Sequence, residues 1–409
     1  MKKIFAFFLV FLYLFNIDFV FIPSSLKTRM FIGCLFFISL FFSNEKLKID
    51  RLTGGVLIFS FLLFVIAFIS ASINLQSDFW LVQFAILTLL YFAASKFTAR
   101  NISEILNHDI HNAYKLIVYV ILFHNVIAFL GIIVPGLMEL IIGMQGGGRE
   151  AYSQYMIDSR LRSYGFGEGQ FFVGGIMTGF GLILQSYLMK MKKMNVGLGM
   201  IIYLLILATG IFIARTSIVG AICSMLFIIP TKRMSFKIAV KSIYGLLFLV
   251  LTTGAIVIYL INNEIVDVSW AFGFFELGFN DPSLQQLSQM YNTYPETLKT
   301  WVIGDAYFMD PSGGSYYMHT DVGWIRIIFC GGILYLILFF LFHRYLAKHI
   351  VVNGSNFRND VLLALAFVIL LFAGNMKGFT NLLPYMFLLL MLQLECKKTK
   401  KDESYSCSL

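Results

Sequence analysis

Long apolar runs alternate with short polar clusters along nearly the whole chain. Runs of about 15–22 apolar residues, each bounded by Lys, Arg or other polar groups, have the length of membrane-crossing helices. The pattern predicts spans at about 4–22, 29–43, 53–74, 80–95, 115–134, 168–189, 196–214, 216–230, 239–261, 322–342, 360–375 and 380–395. Between the fourth and fifth, "NISEILNHDIHNAYK" (Asn101–Lys115) places Ile102, Ile105, Leu106 and Ala113 at helical spacing among polar residues. That spacing predicts a separate amphipathic helix in the interface, with His108 and His111 on its solvated face. Two polar stretches are longer, one over 135–170 and one over 262–321. In the second, "NDPSLQQLSQMYNTY" sets Asp281 as N-cap and Pro282 at the first helical position. Leu284, Leu287, Met290, Tyr291 and Tyr294 then share one apolar face, which predicts a helix lying on the membrane surface.

Composition agrees with the pattern. Hydrophobic residues make up 59% of the 409 and charged residues 13%, with a mean hydropathy of +0.81. A soluble chain carries roughly twice that charge. The class is an all-α polytopic integral membrane protein of about twelve transmembrane helices. It reads as a single membrane domain over 1–409, with an Arg-rich outer loop at 135–170, a long helical outer loop at 262–321 and a tail at 396–409. The start, "MKKIFAFFLVFLYLFNIDFVFI", has the charged and apolar parts of a secretion signal but no small-x-small cleavage site, so it reads as an uncleaved first helix.

The formal charge of +9 raises the question of nucleic acid, and the positions of the charges answer it. With alternating loops, Lys2, Lys3, Lys46, Lys48, Arg51, Lys96, Arg100, Lys190, Lys192, Lys193, Lys232, Arg233, Lys237, Arg344, Lys348 and the "KKTKK" tail share one side. That asymmetry puts both termini in the cytoplasm and makes the basic excess a topology signal with attraction for anionic lipid, not a nucleic-acid footprint. Cys34, Cys223 and Cys330 fall in spans, and Cys396 and Cys407 in the tail, in neither a metal spacing nor a disulfide framework. The outer carboxylates are spread out as well, which predicts no metal site and no cofactor.

Candidate chemistry collects on the outer side. The first outer loop carries Arg149, Arg160 and Arg162, followed by Glu168. Arginine is scarce on that face, and its planar fork suits a bidentate grip on phosphate; the plain alternative is pairing with Glu150, Asp158 and Glu168. Arg215, in "ATGIFIARTSIVGAICSML", sits at a membrane edge between two apolar runs, pointing either into a polar cavity or out to the interface. "GGSYYMHTDVGWIRIIFCGG" puts His319, Asp321 and Arg326 within eight residues at the mouth of a span. A neutral His319 held by Asp321 has the makings of a base for a sugar hydroxyl, while an Asp321–Arg326 salt bridge is the alternative reading. Tyr316 and Tyr317 offer ring faces to sugars while their hydroxyls stay wet.

Two strips together resemble the Wzy-type O-antigen polymerases and the wider group that includes the O-antigen ligases. One is "RSYGFGEGQFFVGGIMTGFGL" (Arg162–Leu182), an arginine and a Gly-rich turn leading into a span. The other is Trp301–Ile337, "WVIGDAYF" followed by "HTDVGWIRIIFCGGILYLI", a Gly-containing motif and an Asp-Gly-x-x-Arg-like helix start. "ARTSIVGA" (Ala214–Ala221) looks like the Arg-Thr step between two of that group's spans. The pattern's Gly-x-Gly after Trp301 reads Gly304-Asp305-Ala306 here, and the long loop has no arginine before Arg326. The resemblance implies a metal-independent, GT-C-like glycosyltransferase of the bacterial inner membrane. Its donor and acceptor would be undecaprenyl-diphosphate-linked oligosaccharides, its surroundings membrane lipids, and its partners a chain-length regulator and a flippase. A common outer-edge placement puts Arg160, Arg162, Arg215 and Arg326 on the diphosphate, His319 and Asp321 in catalysis, and Trp301, Tyr316 and Tyr317 on the glycan. A ligase transferring glycan to lipid A–core, and a lipid-linked oligosaccharide flippase, are the rival readings.

Overall fold

The computed structural model describes residues 1–23, 26–42, 50–75, 78–146, 163–227, 282–311 and 315–406. Regular structure there is helical: α1 (Lys2–Phe15), α2 (Thr28–Phe42), α3 (Arg51–Asn74), α4 (Trp80–Ile105), α5 (Ile110–Ile133), α6 (Pro135–Gly143), α7 (Phe171–Lys190), α8 (Val196–Ile213), α9 (Ser217–Ser224), α10 (Pro282–Met290), α11 (Leu298–Val302), α12 (Gly323–Asn353), α13 (Phe357–Asn375) and α14 (Leu383–Ser406). Seven of these, α3, α4, α5, α7, α8, α12 and α13, are long and apolar enough to cross a membrane. A backbone in lipid must satisfy its own polar groups, so such runs become helices. The described residues are therefore those of a helical, membrane-embedded protein. The expected span at 239–261 and the expected cap Asp281 lie outside the described residues.

The chain divides into two compact units. The first comprises Met1–Lys27, His111–Gly278 and Arg358–Leu370. Its centre is α7, with 83% of its apolar window buried, packed on α8 and α9. A Cβ added to Gly220 of α9 would lie 2.0 Å from Gly179 Cα of α7, so the two backbones touch directly. Small residues four apart, Gly175 and Gly179 against Thr216 and Gly220, permit that approach and let van der Waals contact hold helices where no water is present to drive them together. The second unit comprises Thr28–Ile110, Phe279–Phe357 and Leu371–Leu409. There α4 packs on α2, α3 and α14, and α12 packs on α3 and α14. Buried His343 bridges two of these elements: its Nδ1–H donates to Phe339 O at 2.9 Å, and its Nε2 accepts the Leu382 N–H at 3.3 Å.

Several elements depart from the apolar pattern for identifiable reasons. The first helix ends at Phe15 because Asn16 turns left-handed (φ 46), and the chain then pairs in extended form, Val20 N–H on Met144 O and Gly146 N–H on Asp18 O. No separate interfacial helix forms over Asn101–Lys115. α4 runs on to Ile105, Asn107 and His108 turn left-handed, and the His108 N–H closes back on Ser103 O at 2.7 Å. Ile102, read as an interfacial stripe residue, is the continuation of the buried face of α4 and is 0% exposed. α14 carries the "KKTKK" tail on as one helix to Ser406. α10 begins at Pro282 as expected, but Leu287, Met290 and Tyr291 pack on Val322, Ile325 and Phe329 of the second unit.

Candidate functional site

The polar strip that opens α12 is organised by a break in that helix. Gly332 adopts φ 74, ψ 178 in the middle of the apolar run, which interrupts the helical ladder. Freed carbonyls in hydrocarbon must find other donors. The preceding loop supplies them: Asp305 N–H bonds Phe329 O, Ala306 N–H bonds Cys330 O at 3.2 Å, and the Ser70 hydroxyl of α3 donates to Cys330 O at 2.9 Å. Gly304, at φ 83, presses against the backbone of Cys330, where a Cβ would come within 2.6 Å. Its own carbonyl is taken by Asn74 Nδ2 at 2.9 Å. The loop is thus wedged into the helix by backbone bonds, and the motif Gly304-Asp305-Ala306 is the wedge.

From the wedge the chain crosses to Asp78, at the start of α4. Its Oδ2 accepts the N–H groups of Phe308 (2.8 Å) and Met309 (3.2 Å), while Oδ1 accepts Trp80 N–H at 3.0 Å. Phe308 is thereby set face to face with Trp80, centroids 3.5 Å apart and planes 2° from parallel. A short antiparallel return, Met309 opposite Tyr316 with Asp310 N–H on Ser315 O, brings Tyr316 back. The Arg326 guanidinium lies between the two arms, 3.9 Å from the Phe308 centroid and 3.4 Å from that of Tyr316. Trp80 already covers one face of Phe308, so the guanidinium occupies the other. Arg326 is 5% exposed, and its Nε and Nη2 meet no hydrogen-bond partner among the described residues. A charge in hydrocarbon costs about 2.5–3.5 kcal/mol on insertion scales. Two desolvated cation–π contacts return roughly 1–2 kcal/mol each. They offset the charge and leave the two N–H groups unsatisfied, at about 1–3 kcal/mol each.

Around this stack stand the other residues singled out in the sequence. Tyr317 lies with its hydroxyl 3.4 Å from Asp305 Oδ2, and Asp305 Oδ1 accepts the Thr300 hydroxyl at 2.8 Å. Burial, reinforced by the Asp305 carboxylate, pushes the Tyr317 phenol up to about 12. His319 is exposed, in a left-handed conformation (φ 53) beside Met318 (φ 56), and its Nδ1 lies 3.2 Å from the Ser315 hydroxyl. Asp321 makes no hydrogen bond to that ring and no ion pair with Arg326 among the described residues; its backbone N–H points at Met290 Sδ. Burial raises the Asp321 carboxyl from its ordinary value, against the opposing pull of Arg326 and Lys377. Trp301 donates its indole N–H to Pro295 O at 2.9 Å, which fixes the ring beside the wedge.

The first unit holds the other candidates. Arg160 and Arg162 lie outside the described residues, as does Arg149. Arg215 stands, half-buried, in the three-residue turn between α8 and α9, where Ser217 Oγ donates to Gly210 O and Ala214 O. The Gly-rich turn after residue 162 is held by a buried amide network. Gln145 Oε1 accepts Gly167 N–H (2.7 Å) and Gln170 Nε2 (2.9 Å), and His124 Nε2 accepts Phe166 N–H at 3.0 Å while its ring stacks on Phe15. Asn16 Nδ2 reaches Glu168 Oε1 at 2.7 Å. These groups shape the turn.

Asp78, Ser70, Asn74 and Phe308 escaped the sequence reading. The only trace of Asp78 was an acidic residue just ahead of a predicted helix. Among the described residues, no three His, Cys, Asp or Glu side chains are grouped to hold a metal ion. Compared with known proteins, the chain matches no family model, no curated protein and no solved structure.

Proposed function

We propose that the chain is an integral-membrane glycosyltransferase that polymerises undecaprenyl-diphosphate-linked oligosaccharide repeat units at the outer face of the bacterial inner membrane. The observation that supports this reading best is the Arg326 guanidinium, buried at the mouth of a broken membrane helix with hydrogen-bonding capacity to spare and an exposed histidine in the adjoining turn. Arginine forks suit phosphate oxygens, and tyrosine faces suit sugar rings. Arg326 would hold the donor diphosphate; Arg160, Arg162 and Arg215 are the other arginines that the sequence assigns to that group. The acceptor hydroxyl oxygen bonds to the donor's anomeric carbon as the bond from that carbon to the diphosphate oxygen breaks. The electron pair leaves with undecaprenyl diphosphate, whose charge the arginines stabilise. The hydroxyl proton passes to neutral His319. Asp321, Trp301, Tyr316 and Tyr317 complete the site in this reading, with a GT-C-like arrangement of about twelve spans and with a flippase and a chain-length regulator as partners.

The test is genetic. In cells lacking the natural copy, His319→Ala and Arg162→Ala should each cut elongation, on the order of 10²–10⁴-fold for a lost general base, and leave lipopolysaccharide capped by single units. An unchanged long ladder from either variant removes that residue from the mechanism. Loss of all attached glycan would move the assignment to a ligase. The interruption at Gly332 also favours a transporter, because broken helices line substrate paths in that class. Accumulation of lipid-linked units on the inner leaflet would establish that alternative.

A further inference from the structure

We propose that Arg326 is a preformed seat for an oxyanion and that the Tyr316 ring is its gate. The inference rests on the transferase reading only for which molecule brings the oxyanion. Its geometric basis is which nitrogens lack partners. Nε and Nη2 present their N–H groups along the same edge of the guanidinium, the edge that grips a carboxylate or phosphate through two parallel hydrogen bonds. Arg326 makes no ion pair among the described residues.

The two rings that enclose the guanidinium differ in how firmly they are held. Phe308 is 5% exposed, its N–H is bound by Asp78, and its far face is covered by Trp80. Tyr316 is 40% exposed, and two residues further on Met318 and His319 are non-glycine residues in the left-handed region. Backbone held in that region stores strain that a change of conformation can release. Access therefore opens on the Tyr316 side, with Phe308 as the fixed floor beneath the guanidinium. The ligand chemistry is an oxyanion with two acceptor oxygens about a guanidinium's width apart. Both the diphosphate of a lipid-linked donor and the carboxylate of an acidic sugar present it.

Arginine labelling with phenylglyoxal on the purified full chain in detergent, with the modified peptide located by mass spectrometry, tests the proposal. Arg326 should label slowly in the natural protein and in Tyr316→Phe, and at least about 10-fold faster in Tyr316→Ala, because only the last removes the ring. Inorganic pyrophosphate or glucuronate should then slow the Tyr316→Ala reaction, and whichever protects names the source of the oxyanion. Buried Arg29 serves as the internal reference for folding. If its labelling rises too, Tyr316→Leu, which keeps bulk without a ring, is read instead. Equal Arg326 rates in ring-bearing and ringless proteins overturn the gate, and protection by neither anion overturns the seat. Labelling as expected in a protein whose deletion leaves the glycan ladder unchanged would keep the seat and discard the transferase; the converse would discard the seat alone.

Discussion

Arg326 and Asp321 are five residues apart and carry opposite charges, yet they do not form an ion pair among the described residues. The guanidinium is drawn into the slot between Phe308 and Tyr316, and Asp321 stays half-buried against Met290. Separation leaves the carboxyl with a burial cost that Arg326 and Lys377 only partly offset, so its pKa in the folded protein stands above its unfolded value. The consequence for stability follows from linkage. A raised carboxyl pKa favours folding only while the group is protonated, below the ordinary carboxylate range, and that advantage is lost as pH rises through the folded value. Asp321→Asn should therefore raise the thermal unfolding midpoint at neutral pH, with the gain shrinking to nothing as pH falls through the carboxylate range. Midpoints in detergent across that range decide it. A lower midpoint for Asp321→Asn at neutral pH would mean that attraction to the two cations outweighs burial. At this scale the sequence was informative about residue type and strip, because Trp301, Tyr316, Tyr317, His319, Asp321 and Arg326 lie close along the chain. It was silent on pairing. An Asp five residues before an Arg reads as a salt bridge until the aromatic slot supplied by Phe308 is seen.

Among the elements, α12 carries the most consequence. As a string it is an uninterrupted apolar run from Ile327 onward, and nothing local separates Gly332 from its neighbour Gly331. The break exists because a loop from another part of the chain presents N–H groups at the right place, and glycine alone adopts φ 74 without steric cost. A Cβ at residue 332 would also fall 2.1 Å from Val302 O, a backbone atom that cannot swing aside. Gly332→Ala should cost about 1–3 kcal/mol from the backbone conformation alone, with the displaced wedge added. Gly331→Ala, whose Cβ would meet the side chains of Leu81 and Tyr335, should lower the unfolding midpoint less. Midpoints of the two variants side by side check the ordering, and a Gly332→Ala protein as stable as the natural one would show that the wedge is dispensable. The Asn101–Lys115 segment shows the same limit. Its periodicity reads as one helix, but the structure ends α4 at Ile105 and begins α5 at Ile110, and the burial of Ile102 depended on what packed against it.

For the molecule as a whole, α4 sets the scale. Its 26 residues span roughly 39 Å at 1.5 Å per residue, more than the ~30 Å hydrocarbon core. Asp78 at its start holds the 308–309 segment, and the turn at 106–109 closes its other end. Positions 310 and 109 should therefore emerge on opposite sides. In a background with the five cysteines replaced, a membrane-impermeant maleimide applied to intact cells should label Asp310→Cys and spare Asp109→Cys, as the distribution of Lys and Arg predicts. Labelling of both would mean that α4 does not cross, and the inverse pattern would reverse the orientation. Membrane embedding and helical class were determined by the sequence alone, because apolar length and backbone satisfaction in lipid are local properties of a run of residues. The tertiary structure alone decided where a span is broken, which carbonyls the wedge satisfies and which rings enclose Arg326. Those bonds join residues such as Asn74 to Gly304 and Asp78 to Phe308, each pair 230 positions apart, and a hydrogen bond across that distance leaves no periodic trace in either segment.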